Sequence, residues 1–132
     1  MYVENKNVPL TDLGGGVVRK VLAYSENLMN VELKFVKGAI GAKHSHPHEQ
    51  IGYIISGSLL FQEEGKEDKV LVTGDSYYVE PDVVHGVVAV SYTHLDVYKR
   101  QTGSSRWKLD LRWSSPCSDS QTDECSWLYN LL

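Results

Sequence analysis

The chain has 132 residues, of which 42% are hydrophobic, and this length gives one globular domain rather than two. A formal net charge of −4 and a pI near 5.7 argue against a nucleic-acid binder, whose surface would be basic. No apolar run approaches the ~18 residues needed to cross a bilayer, and the polar start does not resemble a secretory signal. We therefore expect a single-domain cytoplasmic protein without nucleic-acid or membrane partners.

Short strand-like segments follow one another through residues 1–88. They are rich in Val, Ile, Leu and Tyr, and glycine turns separate them. No window of helix length has an apolar stripe. The sequence predicts an all-β sandwich or barrel. Its predicted strands are Val17–Tyr24, Met29–Val36, Gln50–Ile55, Leu59–Gln62, Val70–Val72, Tyr77–Val79 and Val83–Val88.

The segment Gln50–Ile55 is apolar on both faces. One face would look into the barrel, so another element must cover the other face. A second subunit and a second sheet of the same chain are both open as explanations.

Closely spaced histidines follow Gly38. His44 and His46 are two residues apart, so on an extended strand both imidazoles point to one face and can share one ion. Gln50 has the same parity and could offer an amide oxygen from the next strand. His85, thirty-nine residues after His46, would be the third imidazole. Histidines in this arrangement suit a first-row divalent metal.

Neighbouring polar residues have different expected roles. His48 follows Pro47 and is expected in a turn, either supporting a ligand or at the surface. Glu49 has the wrong parity for the same ion, and we expect it to face solvent or to support a ligand. Tyr77 and Tyr78 point to opposite faces, so one could line the pocket, although core packing would explain both.

The histidine segment resembles the first motif of the cupin superfamily, which combines Gly, His-x-His, Glu and Gly. The matching positions are Gly38, His44, His46, Gln50 and Gly57, with Gln50 in place of the Glu. The second motif is represented by Gly74, Pro81 and His85, with Val83 where a Gly is usual and Ala89 in place of an Asn. The resemblance implies a double-stranded β-helix, a jelly roll whose mouth holds the metal.

Four segments resemble the small single-domain cupins of the KdgF type, which act in pectin degradation: Lys20–Ser25, His44–Tyr53, Gly74–Tyr78 and Val83–Val88. This resemblance implies one divalent metal held by His44, His46, Gln50 and His85, with Ni, Fe, Mn and Zn not distinguished. It also implies a sugar-acid substrate, namely the cyclic 4,5-unsaturated uronates released from pectin or alginate, which are converted to linear keto forms. A homodimer is implied as well.

Two other functions stay open. One is a non-catalytic cupin that binds a sugar or an acid. The other is an iron-dependent oxygenase, for which a carboxylate ligand is more usual than Gln50.

The segment Ser91–Gln101 resembles the translation of two sequencing-transposon ends joined head to head. Written as codons and extended leftwards, its DNA can be its own reverse complement, and the extension requires Val90 and permits Ala89. The alternative is a natural strand and loop. We therefore expect an incomplete cupin domain over residues 1–88, an adapter-derived segment over 89–101 and a non-native irregular tail over 102–132.

A cupin truncated at its last strands would lack catalytic residues and would be less stable. The resemblance places proton-transfer groups and a substrate-gripping arginine on the last strand, so we expect the chain as written to be inactive. Missing strands would leave an open sheet edge, which predicts poor stability or aggregation. The tail has strand-like alternation at Trp107–Trp113, and its Cys117 and Cys125 carry no disulfide or metal prediction.

Overall fold

The computed structural model describes residues 1–101. The predicted tail, with Trp107–Trp113 and both cysteines, lies outside the described residues. The described part contains a short 3-10 turn at Asn5–Asn7 and ten strands. These are β1 (Thr11–Gly14), β2 (Val17–Tyr24), β3 (Leu28–Phe35), β4 (Ile40–His44), β5 (Glu49–Ser56), β6 (Ser58–Glu63), β7 (Lys69–Val72), β8 (Ser76–Val79), β9 (His85–Ala89) and β10 (Thr93–Arg100).

The strands form two antiparallel sheets around one core. The larger sheet has the order β1-β2-β3-β10-β5-β8, and the smaller sheet has the order β4-β9-β6-β7. Alternate side chains of both sheets are buried, as a half-buried sheet requires. The core includes Met29, Val31, Leu33, Phe35, Ile54, Leu59, Phe61, Val79, Leu95 and Val97. This all-β jelly roll confirms the fold predicted from the sequence.

Turn chemistry explains where β9 begins. Val83 N–H bonds Glu80 O at 3.4 Å, and Asp82 between them has a φ of 65°. Pro81 and a left-handed residue in these two central positions are typical of a type II turn. The turn therefore delays the strand to His85, two residues after the predicted start. None of residues 1–101 belongs to a helix long and apolar enough to span a membrane.

Most of the segment predicted to derive from an adapter, residues 89–101, forms strand β10 inside the larger sheet. β10 pairs along its whole length with β3 and, over seven of its eight residues, with β5. Thr93, Leu95 and Val97 point inward, whereas His94 and Asp96 are only partly buried. The expected open edge at this place is therefore wrong, because a period-2 pattern lets the segment pair as a strand.

The strand β10 also buries a charge. Lys99 is fully buried beside Gln50 of β5, and Arg19 of β2 is buried in the same interior. Burial and the charge of Arg19 hold the pKa of Lys99 well below its usual range. Burying a cation near a like charge opposes folding. Poor stability therefore stays a prediction, with the buried lysine and not an open sheet edge as its cause.

The outer face of β5 is exposed. Ile51, Tyr53 and Ile55 have 37–49% of their surface accessible, while Gln50 and Ile54 point inward and are buried. No second sheet formed by residues 1–101 covers this outer face. Coverage by a second subunit stays a prediction.

Replacing the buried lysine should stabilise the protein. We expect Lys99→Met to raise Tm by at least about 5 °C, because burial penalises the ammonium group of Lys99 and methionine fills a similar volume without that penalty. Thermal unfolding followed by circular dichroism measures the shift. Lys69→Met is the matched control, since Lys69 is an exposed lysine on strand β7. Equal Tm values for the parent and Lys99→Met would contradict the assigned burial cost.

Candidate metal centre

Three segments bring the four predicted ligands together. The pairing of β4 with β9 places His44 directly opposite His85. His46 follows the end of β4, and Gln50 is the second residue of β5. One ring nitrogen from each of the three histidines lies within 4.8 Å of the others, and the Gln50 amide oxygen is 3.0 Å from His46 Nε2.

The main chain of His46 is fixed from across the barrel mouth. Asp82 N–H donates a hydrogen bond to His46 O at 2.8 Å. The left-handed conformation of Asp82 in the turn before β9 aims this N–H at the histidine segment. One turn thus positions His46 and sets the start of the strand that carries His85.

Each histidine ring is oriented by a main-chain carbonyl. Nδ1 lies 2.8 Å from Ala42 O in His44, 3.0 Å from His48 O in His46, and 2.9 Å from Val83 O in His85. A carbonyl can only accept, so we assign the proton of each neutral ring to Nδ1. The lone pair is then on Nε2 in all three rings, which is the form that binds a metal.

The contact between His46 and Gln50 fits a cation. His46 Nε2 carries a lone pair, and Gln50 Oε1 is also only an acceptor, yet the two atoms are 3.0 Å apart. Two donors bound at right angles to one octahedral ion, each at about 2.1 Å, would be about 3.0 Å apart. His85 Nε2 is buried and has no hydrogen-bond partner among the described residues. The donor set therefore fits a metal site.

Burial keeps the rings in the neutral form. It lowers the pKa of His46 to about 3 and the pKa of His85 to about 4. The nearby charge of Lys99 contributes to both of these shifts. At neutral pH no proton competes for Nε2 of either ring.

The structure shows where His48 and Glu49, which lie between His46 and Gln50, point. His48 lies in a bend, is buried, and stacks on His46 with ring centroids 5.1 Å apart. Its Nδ1 is 2.8 Å from Gln101 Oε1. Glu49 points away from the site, where it accepts a hydrogen bond from Tyr78 Oη at 3.0 Å. His48 thus supports His46 and is not at the surface.

Three of the four donors, His44, Gln50 and His85, line a small cavity. Its other lining residues are apolar or aromatic and include Leu33, Phe35, Tyr77, Val87 and Leu95. Tyr77 points into it, whereas Tyr78 is 48% exposed on the opposite face, so core packing does not explain Tyr78. The lining formed by the described residues contains no carboxylate and no arginine.

Sequence reasoning missed the two buried cations, Arg19 and Lys99. Arg19 shares its parity with Val17, a core residue of the same strand, so strand alternation alone indicated that it points inward. Lys99 shares its parity with Leu95 and Val97 in the same way. Both therefore place a basic group in the barrel interior, where burial lowers the pKa of each.

A second group of metal-binding side chains lies on the outer face of the larger sheet. His94 Nε2 is 3.3 Å from Glu32 and 3.9 Å from Asp96. Glu32 also accepts a hydrogen bond from Asn5 Nδ2 at 2.9 Å and lies 3.8 Å from Lys34 Nζ. Glu32 is therefore held by contacts within the protein, whereas His94 Nε2 has no hydrogen-bond partner among the described residues.

Comparisons of sequence and of structure both match this chain to cupins. The sequence profile of the Cupin domain matches residues 31–98. The pectin degradation protein KdgF of Dickeya dadantii (strain 3937) is 41% identical over 90 residues, which are 67% of this chain and 81% of that protein. The solved structure of an RmlC-like cupin from Shewanella frigidimarina NCIMB 400 has a TM-score of 0.72 and 34% identity, covering 76% of this chain and 90% of the other. KdgF from Halomonas sp. has a TM-score of 0.69 and 31% identity, covering 77% and 94%.

Loss of one imidazole should empty the centre. We expect the parent to hold about one divalent metal per chain after loading and dialysis, and His46→Ala to hold almost none, because a four-donor site loses its central ligand. Elemental analysis of the purified proteins measures this ratio. His94→Ala is the control and should keep the parent's metal. If His94→Ala lost the metal and His46→Ala kept it, the ion would sit on the outer face instead.

Proposed function

This chain belongs to the cupin family, and we propose that it binds one divalent first-row transition metal through His44, His46, Gln50 and His85. We further propose that its natural counterpart converts 4,5-unsaturated uronates from pectin or alginate into linear keto sugar acids. The observation that carries the proposal is the 3.0 Å approach of His46 Nε2 and Gln50 Oε1. Two relatives named KdgF support the choice of substrate class.

The ligand set suits binding of a sugar acid. Three imidazoles and an amide carry no charge, so a bound divalent ion keeps its full +2 charge and acts as a Lewis acid toward a carboxylate or hydroxyl. The four donors would leave about two positions of an octahedral ion for substrate or water. The buried Arg19 adds positive charge to the barrel interior, which favours an anionic ligand over a neutral sugar.

Proton transfer is the part of the reaction for which the described residues around the cavity supply no carboxylate. Opening the sugar ring and forming the keto product both require a proton to move, and a positioned acid or base must carry it. Among residues 1–101 the only phenol that lines the cavity is Tyr77, and burial raises the pKa of Tyr77 to about 12. We therefore propose that the chain as written binds metal and substrate but does not turn the substrate over.

The missing groups belong to the strand position that β10 occupies. There, β10 directs Leu95, Val97 and Lys99 inward, where the KdgF resemblance implies acidic and arginine side chains. We propose that residues 89–101 derive from an adapter and have replaced that natural strand. Resequencing the locus across codons 85–105 would supply the natural strand for comparison.

The same charges permit a second function, a non-catalytic module that binds a sugar acid. The apolar lining without a carboxylate favours it. An iron-dependent oxygenase is less favoured, because Gln50 provides an amide where a carboxylate is usual. We also place the protein in the cytoplasm, which agrees with the absence of cysteine from residues 1–101.

Turnover of unsaturated galacturonate separates the functions. We expect the metal-loaded chain to bind it, detected by calorimetry, without loss of the enol absorbance. The chain carrying the resequenced natural strand should remove that absorbance. Binding without turnover by both chains would favour the binding module. Turnover by the chain as written would overturn the proposed inactivity, and absence of binding by both would overturn the substrate class.

We propose in addition that the protein is a homodimer through the outer face of the larger sheet. Tyr98, Ile51 and Tyr78 lie in one cross-strand row, and 40–49% of each side chain's residue surface is exposed. A continuous apolar row of this kind is typical of an interface. A second copy would bury the same row on both partners.

Charge placed in that row should separate the subunits. We expect the parent to have the mass of a dimer in light scattering after gel filtration, and Ile51→Asp to have the mass of a monomer, since the carboxylate would be desolvated at the interface. Val70→Asp is the control, because Val70 is an exposed valine on the smaller sheet. A monomeric parent would contradict the dimer.

A further inference from the structure

We propose that Tyr77 is a positioning residue that holds the Gln50 amide with its oxygen, and not its nitrogen, toward the metal. Gln50 Nε2 donates to Tyr77 Oη at 3.2 Å, while Oε1 faces His46 Nε2. The inference rests on the proposed metal centre and adds the residue that orients its one non-histidine ligand.

An amide ligand has an orientation problem that a carboxylate does not have. The two ends of the Gln50 side chain have nearly the same shape, but only Oε1 has lone pairs for a cation. If the amide flips, NH2 faces the ion and a ligand is lost. Gln50 is buried, so solvent cannot hold the correct orientation, and a protein group must accept from Nε2 instead.

The sheet register places Tyr77 where it can accept that hydrogen bond. In the pairing of β5 with β8, Gln50 is opposite Val79 and Gly52 is opposite Tyr77. Gln50 and Tyr77 are therefore diagonal neighbours on one face, a spacing that an aromatic side chain can span. The ring of Tyr77 extends across Gly52 to reach the amide.

Gly52 makes this path available. A Cβ atom at residue 52 would lie 2.2 Å from two ring carbons of Tyr77 and 2.6 Å from Oη. Any larger residue would push the hydroxyl away from Gln50. Because the ring is nearly fixed in the core, this space cannot be recovered by a small shift.

Phe61 holds the ring from the other sheet. Its ring stacks on Tyr77 with centroids 4.3 Å apart and an interplanar angle of 21°. Tyr77 is thus confined between Gly52 and Phe61, with its hydroxyl at Nε2 of Gln50. The high pKa of Tyr77, about 12 because of burial, keeps the hydroxyl neutral, so its role does not change across ordinary pH.

Tyr77→Phe tests the orienting hydrogen bond. Titration with Co²⁺, followed by its visible absorption bands, gives both the Kd and the ligand environment. We expect Tyr77→Phe to weaken Co²⁺ binding by about 10- to 100-fold and to change the bands. Tyr78→Phe, on the opposite face of the same strand, should leave both unchanged. Equal Kd and bands for the parent and Tyr77→Phe would overturn the inference.

A double variant distinguishes orientation from packing. A carboxylate presents oxygen whichever way it is turned, so in a Gln50→Glu background Tyr77→Phe should weaken Co²⁺ binding by less than about threefold. The same loss in both backgrounds would mean that Tyr77 acts through packing alone and would overturn the proposed role.

Two further results distinguish failure of the metal centre from failure of the role proposed for Tyr77. If the parent and Tyr78→Phe do not bind Co²⁺, the metal centre fails and the role of Tyr77 with it. If Tyr77→Phe does not give a cooperative thermal transition, Phe61→Leu replaces it, because this variant loosens the ring and keeps the hydroxyl. Phe61→Leu should weaken binding in the parent and not in Gln50→Glu, and any other pattern would overturn the inference.

Discussion

The pairing of β4 with β9 is the constraint on which the site depends. It sets His44 directly opposite His85, and the other two donors approach this pair from the segment that follows β4 and from β5. Side chains alternate along a strand, so a slip of one residue would turn one of the paired imidazoles away from the other. The register is protected because the same slip would move Val87 and Ala89 out of the core.

The donors are held at a distance that suits coordination of one ion. Carbonyl contacts fix the protons on Nδ1 of the three rings, and Tyr77 fixes the amide. The lone pairs of His46 and Gln50 therefore face each other across 3.0 Å. A cation between them removes this repulsion, so metal binding and folding stability are linked.

Strand alternation and glycine turns predicted an all-β sandwich or barrel, and the cupin resemblance implied that it is a jelly roll. The parity and spacing of the histidines, together with the same resemblance, predicted the gathering of four donors. Strand alternation also predicts that the side chains of Arg19 and Lys99 point inward. Charged side chains are usually exposed, so neither residue was expected in the interior. The role of Tyr77 could not be predicted, since it depends on a diagonal register between β5 and β8 and on the empty space above Gly52. Neither feature is visible in one strand.

The strand β10 shows that completing a sheet and completing an active site are different requirements. Main-chain hydrogen bonds with β3 and β5 need only an extended segment, and alternating Leu95 and Val97 are enough to fill the core. Catalysis needs particular acids and bases at particular inward positions. β10 instead places Lys99 beside Gln50, where its charge lowers the pKa of His46 and would also repel a bound cation. A strand can therefore meet the first requirement by its alternating pattern without meeting the second.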